Sequence, residues 1–511
     1  MENKNCSLLS KDFLLIALLV TSINIFSMPR MQNGGDAQVV RYEAMTLINE
    51  GTIVIPARIA ATFGDQGQYF FYNHSSDKWY SKYGILNTLM YVPALYAEKL
   101  LTGRLEFKSN DRVLTLDCMN IVCALATTAY LFMLAGLYTD SLFIKAAYIL
   151  SAFYCTFWWN HMRIQAFEAY QPFFLIGAVW HFIRAFHALP GEDASAREKI
   201  IAWNLFFSGL LLGLLWLSKA LYVLVAFLFV ALIVCFEWNN LRREGGFAAG
   251  RVWKRARVYF IWFGIPLLFF FAVLLVVNTV KFGSPFDNGY TQWKKEQNLF
   301  SGDLLSGVLG FLFDPQFSIF LTFPVLVVAL FGLPEFFRKY RRDAIVIYSL
   351  GTLLLLANAK FVNWRGLWSY GPRYMLPVLG MMSLPFVLVL GRIAGNFRKP
   401  AHLSAALAIL VVLGYSTGLQ MNVNALPFNA YFQIKEKAID PLGDETLNRY
   451  FATRPFGVIC GDILAYKHGR PLWFRERVAQ LSAGNPQALA RLDMYLNGCS
   501  GSNCFLFPPH D

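Results

Sequence analysis

Long apolar runs separated by short charged loops dominate the chain. Segments 13–28, 113–138, 143–159, 167–186, 201–218, 221–236, 258–280, 317–337, 344–360, 374–390 and 403–420 are the runs in question. Each approaches the roughly 20 residues that a helix needs to cross about 30 Å of hydrocarbon. The pattern therefore predicts an all-α polytopic membrane protein with about eleven transmembrane helices. The first run lacks a small-residue cleavage site and is read as a retained helix.

Three segments between or after these runs are long enough to carry structure. The first, 29–112, opens on Gly34-Gly35-Asp36, and 38–49 reads as a helix that stops at Gly51. Two aromatic-rich stretches, 68–72 and 78–80, flank a polar 73–77 and read as a hairpin. An apolar stretch, 85–101, follows; it contains Pro93 and carries Glu98 and Lys99. The second segment, 281–316, includes a short apolar helix at 304–313. The third, 421–511, is mixed in composition, carries no interpretable motif, and could form a small α/β cap apart from the bundle of 1–420.

Charge fixes an expected orientation. Arg242, Arg243, Arg251, Lys254, Arg255 and Arg257 share one loop. Arg338, Lys339, Arg341 and Arg342 share another, and Arg392, Arg398 and Lys399 a third. Short basic loops stay on the cytoplasmic side. If 85–101 lies along the membrane surface, all three loops fall on the side of the amino terminus; if it spans, all three flip outward. The surface reading places the amino terminus in the cytoplasm and the carboxyl terminus outside. For a bacterial inner membrane, outside is the periplasm or the extracellular space.

Composition agrees: 56% hydrophobic against 15% charged residues, where soluble domains carry about 25% charged. The net charge of +13 resides in the interhelical loops, so no nucleic-acid partner is expected. Among eight cysteines, Cys6, Cys118, Cys123, Cys155 and Cys235 read as small packing residues. Cys499 and Cys504 are close enough in sequence to pair, but spacing alone does not decide it. No CxxC or HExxH pattern marks a metal site.

Ionisable groups at membrane depth are costly and usually functional. Asp36, after two glycines at the start of the first outer loop, could act as a general base on an acceptor hydroxyl or simply cap the following helix. Glu168 opens the fourth span on the same side; it could orient a substrate, ligate a metal, or complement the helix dipole. Lys219 sits in a tight turn between two spans, where a lipid phosphate is a natural partner and interfacial snorkelling the plain alternative. Arg365 and Arg373 flank a loop at the outer end of two more spans. Arginine suits phosphate because its planar fork bonds two oxygens at once. Gly209 and Gly213 form GxxxG, read as close helix packing within the chain.

Several strings resemble the glycosyltransferase C (GT-C) superfamily, in its protein mannosyltransferase-like and aminoarabinose transferase-like bacterial branch. Gly35-Asp36 with Tyr42-Glu43-Ala44 and Leu47–Gly51 is similar to its first outer loop. Tyr80-Ser81-Lys82-Tyr83-Gly84 with Tyr91-Val92-Pro93 is similar to the segment that follows. Leu217-Ser218-Lys219, Phe282-Gly283-Ser284-Pro285 with Gly289-Tyr290, and Tyr370-Gly371-Pro372-Arg373-Tyr374 complete the series in order. The resemblance covers about 13–420 and leaves the tail uncovered. It implies a GT-C fold and transfer of a monosaccharide from a polyprenyl-phosphate carrier, such as an undecaprenyl lipid, to an acceptor hydroxyl on the outer face. The acceptor is a glycan, lipid or protein. Asp36 matches the catalytic acid and Glu168 the place of a second-loop acid. Lys82, Lys219 and Arg373 match basic positions near the carrier phosphate, with Arg365 and Tyr374 beside them. The adjacent acid pair of some eukaryotic members is absent at Asp36, which weakens any mannosyl-to-protein reading. A divalent metal is an option that the sequence leaves open.

The chemistry is coherent, because a phosphate ester leaves without a strong general acid. Cations stabilise the leaving phosphate, Asp36 takes the acceptor proton, and direct displacement inverts the anomeric centre. Two other readings stand beside this one. A polymer ligase would act on a diphosphate carrier. A transporter would place its polar groups at mid-membrane within paired repeats, whereas the charged candidates here are at span ends.

Overall fold

The computed structural model describes residues 10–28, 35–61, 69–103, 105, 113–164, 167–187, 194–243, 249–292, 298–366, 369–426, 430–481 and 486–498. Helix dominates throughout. Among the described residues, six helices are long and apolar enough to cross a membrane: Leu114–Ala135, Glu198–Trp216, Ala220–Arg243, Val252–Phe282, Arg341–Ala359 and Pro400–Ala425. A seventh arises if Arg373–Met382 and Pro385–Gly395, bent by 40° at their junction, form one span. The expected count of about eleven is not reached on length and composition, and the reason is local. Leu142–Tyr154 ends early, a break precedes Trp158–Arg163, and Gln171–Phe186 starts with a tight 3-10 turn. The run expected at 317–337 is broken into Val325–Leu330 and Leu333–Lys339, with Pro324 and Pro334 at the starts of the pieces, where proline is tolerated.

The segment after the first helix forms as its pattern predicts. Gly35–Glu50 is helical, and Phe70–Asn73 pairs antiparallel with Lys78–Ser81. Ile85–Thr102 is one helix closed by Gly103 in the left-handed conformation; it is not among the helices apolar enough to span. Leu304–Phe313 is the short apolar helix expected there. The tail corrects the α/β expectation: its described residues form helices Glu445–Thr453, Phe456–Lys467, Trp473–Leu481 and Pro486–Gly498, and no strand among them. Leu447, Phe451, Ile459, Ile463, Phe474 and Val478 are buried at helical spacing, a period of 3.6 rather than 2. The tail packs on the bundle, with the Tyr370 and Tyr431 rings tilted against Phe456 at centroid distances of 4.9 and 4.1 Å. Cys499 and Cys504 lie outside the described residues.

GxxxG serves packing within the chain. A Cβ on Gly209 would lie 2.6 Å from the Phe263 carbonyl oxygen, and one on Gly213 would lie 2.6 Å from the Phe270 ring. The small residues thus let helix Ala194–Trp216 lie directly on helix Ile265–Phe282 and the turn before it.

The bundle has two chemically distinct ends. At one, Arg342 reaches Asn240, Arg392 pairs with Glu335, and Asp343 accepts hydrogen bonds from Tyr138 and His187. At the other lie the starts of the helices that carry Glu168, Lys219 and Arg373.

Candidate active site

Four chain segments meet at this second end. Helix Gly35–Glu50 carries Asp36 in its first turn. The hairpin hands the chain to Lys82, Tyr83 and Gly84. Gly84 is pressed against the end of helix Ala194–Trp216: a Cβ there would lie 2.2 Å from the Leu217 carbonyl oxygen. The Leu86 amide bonds that same carbonyl at 3.0 Å, and Ser218 and Asn87 bond each other at 3.0 Å. Lys219 follows immediately. Gly289 rests on Lys82 in the same manner, since its Cβ would lie 1.9 Å from the Lys82 carbonyl oxygen. These glycines explain why strings far apart in sequence can form one surface.

Arg373 lies at the centre. Its position follows from Gly371, whose φ of 66° turns the chain sharply and which a residue with a Cβ adopts poorly. The Tyr370 carbonyl is tied to the His161 ring at 2.9 Å. The Arg373 guanidinium lies 3.3 Å from Glu168 and 3.7 Å from Asp36. Tyr83 donates its phenolic hydrogen to the other Asp36 oxygen. Burial, and then the Asp36 charge, raise the Tyr83 phenol well above its ordinary pKa, so it stays a donor. Asp36 is therefore not simply a helix cap.

Lys219 is half-buried and packs over Tyr374, 4.1 Å from the ring centroid; Arg373 lies 5.3 Å from that same centroid. The separation of the two cations cannot exceed the sum of these distances, which lets one phosphate bridge them directly or through water. Burial foremost, and then the Arg373 charge, lower the Lys219 ammonium to about 8. Lys82 lies in a ring of aromatics, 5.2 Å from Tyr83 and 5.9 Å from Tyr290. A cavity of about 370 Å³ opens beside this cluster, with Lys219, Tyr290, Tyr374, Asn288, Asn298 and Asn358 among its walls.

Six of the seven residues singled out from the sequence thus cluster here: Asp36, Glu168, Lys82, Lys219, Arg373 and Tyr374. Arg365 is close by in the chain, next to Gly366, which packs on the Arg373 side chain, but its guanidinium is paired with Asp314 at 3.1 Å and lies over Trp364. Sequence reasoning missed Tyr83, Tyr290, Glu43 and Lys281. The first three lie inside strings already recognised. Glu43 also follows Asp36 and Val40 at helical spacing, which places an acid on a buried stripe.

No protein-family model matches the chain, and no curated protein matches its sequence. Its fold is shared with solved membrane-protein structures of low sequence identity. Among solved structures, ArnT from Cupriavidus metallidurans bound to undecaprenyl phosphate superposes with a TM-score of 0.54 at 13% identity. That match covers 95% of this chain and 74% of ArnT. The apo state of ArnT gives 0.51 at 12% identity over the same shares. The oligosaccharyltransferase of Archaeoglobus fulgidus gives 0.50 at 12% identity, covering 85% of this chain and 59% of that one. This chain therefore spans less than two thirds of the archaeal protein. At these identities the likeness is one of fold.

One archaeal structure holds zinc and sulfate. Here, among the described residues, no three His, Cys, Asp or Glu side chains come together as a metal site. Asp36 and Glu168 both lie against the Arg373 guanidinium.

Proposed function

We propose that this protein is an inverting membrane glycosyltransferase that moves a monosaccharide from a polyprenyl-phosphate carrier to an acceptor hydroxyl. The observation that carries the reading is the placement of Lys219 and Arg373 around one tyrosine ring, with the Asp36 carboxylate against Arg373. A phosphate monoanion or dianion meets two cations there, and a base lies within reach of the carbon that the phosphate leaves. The cavity beside Lys219 combines amides, which suit sugar hydroxyls, with aromatic and aliphatic walls.

The acceptor oxygen attacks the anomeric carbon as its proton passes to Asp36. The bond from that carbon to the phosphate oxygen breaks, and the electron pair stays on the polyprenyl phosphate. Arg373 and Lys219 stabilise the charge gathering on the leaving group. Glu168, paired with Arg373, holds the guanidinium in place. The positive-inside distribution of the basic loops supports an outer-face position for this end of the bundle. Charged groups of both signs at span ends rather than mid-membrane favour this reading over a transporter.

The test is direct. Purified protein should bind undecaprenyl phosphate, and should release it from undecaprenyl-phosphate-linked hexoses or pentoses, supplied one at a time, when membrane acceptors are present. Absence of both binding and release for every donor would overturn the reading. Turnover of diphosphate-linked donors alone would favour the polymer ligase.

A further inference from the structure

Beneath Asp36 lies an ion pair that the proposed chemistry does not use. Lys281 and Glu43 meet at 2.7 Å, with side chains 1% and 0% exposed. Lys281 also donates to the Tyr83 carbonyl oxygen at 2.9 Å. Glu43 accepts from the Thr88 hydroxyl through its second oxygen. The pair thus joins three segments: helix Gly35–Glu50, the Tyr83–Thr88 stretch, and the end of helix Ile265–Phe282. A fourth clamp holds that end, because Asn73 of the hairpin donates to the Lys281 carbonyl at 3.3 Å.

We propose that Glu43 and Lys281 are positioning residues that aim Tyr83, and through it Asp36, at the acceptor. The inference rests on Asp36 being the base. Asp36 and Glu43 lie two turns apart on one helix face. The pair fixes the helix at Glu43 and the Tyr83 carbonyl at once, using a single ammonium. The Tyr83 amide is held separately by the Ser81 hydroxyl at 3.1 Å, and the next residue is pressed on the Leu217 and Ser218 carbonyls. Tyr83 is thereby anchored at its amide, its carbonyl and its following residue, and its ring is 3% exposed. Its hydroxyl engages one Asp36 oxygen and leaves the other on the Arg373 side. Asp36 itself is about one third exposed and would otherwise sample several rotamers. A buried ion pair is a poor device for stability alone, since apolar residues of similar volume often serve as well. It is a good device for fixing three segments in register.

The experiment uses the full chain in nanodiscs. Tyr83→Phe removes the phenolic donor and keeps the ion pair. The double variant Glu43→Gln/Lys281→Met removes both charges, so neither is left buried alone. Both variants should remain helical and bind undecaprenyl phosphate as the parent does. Each should lose kcat by roughly 10- to 100-fold with KM held, the cost of small misplacements at a reacting centre. Combined, the substitutions should lose no more than either set alone, because they act through one contact. Losses that multiply, or parental kcat in either folded variant, would overturn the proposal. If the double variant fails to fold, Tyr83→Phe decides alone: parental kcat refutes the relay, and loss of kcat at constant KM supports it. An inactive parent would sink the base assignment and this proposal together. An active parent with an equally active double variant would sink the positioning role only.

Discussion

Lys219 sits 4.1 Å from the centre of the Tyr374 ring, a lysine drawn inward over an aromatic face rather than extended along the membrane surface. Burial lowers its pKa to about 8, and the sign of the consequence follows. Below that pH the ammonium is charged and contributes to phosphate binding; as pH rises through about 8 the contribution fades. Affinity for undecaprenyl phosphate should therefore fall between about pH 7 and about pH 9.5 in the parent. Lys219→Arg should flatten that dependence, and Lys219→Met should weaken binding at the lower pH. Charge-assisted hydrogen bonds contribute about 1.5–3 kcal/mol each. A titration of binding against pH for the three proteins checks this; equal slopes for parent and Lys219→Arg would remove Lys219 from the phosphate site.

Asp36→Asn keeps the shape of the side chain and removes its basicity. Sugar transfer should drop by roughly 10²–10⁴-fold, the usual contribution of a general base, with undecaprenyl phosphate still bound. Single-turnover assays alongside a binding isotherm separate the two effects. Near-parental turnover would move the base elsewhere, with Glu168 the first residue to examine.

Arg373 has two acid partners and a tyrosine beneath it. Arg373→Lys keeps the charge and loses the fork, so binding of undecaprenyl phosphate should weaken despite the formal conservation. Glu168→Gln should act differently: it frees the guanidinium from one partner, so kcat should fall more than affinity. Comparing kcat, KM and the dissociation constant across both variants tests the division of roles. Unchanged kcat in Glu168→Gln would reduce Glu168 to a helix-terminal acid.

Gly289 tests the assembly of the site. A methyl there would meet the Lys82 carbonyl oxygen at 1.9 Å, and the neighbouring atoms are backbone, which cannot swing aside. Gly289→Ala should cost about 1–3 kcal/mol of stability and lower carrier affinity by parting Tyr290 from Lys82. Thermal unfolding and binding measured together check it. A variant with parental values in both would mean that this close approach is dispensable.

Orientation is open to labelling. In a cysteine-free background, Ser76→Cys should react with an impermeant maleimide from outside intact cells, and Arg398→Cys should not. The reverse result would put the basic loops outside and Ile85–Thr102 across the membrane.

Apolar periodicity and charge by themselves determined that the chain is a helical membrane protein, because lipid requires long stretches whose backbone groups are satisfied internally. They also located the helix over 38–49, which the structure extends back to include Asp36, the hairpin and the helix Leu304–Phe313, each written in a local pattern. What they did not determine is where an apolar run stops being one straight helix. The run at 317–337 contains two prolines and breaks, and the run that begins at Tyr374 bends by 40°. The α/β reading of the tail failed because scattered turn residues hid a helical period that is apparent only once buried positions are known. At the site, the sequence supplied the charged residues but not their partners. Tyr83 on Asp36, Lys219 over Tyr374 and Lys281 on Glu43 are contacts between segments that only folding brings together. They depend on glycines whose missing side chains let backbones touch. Hydrogen bonds and ion pairs act over a few ångströms in space, so separation along the chain says nothing of which residues will share them.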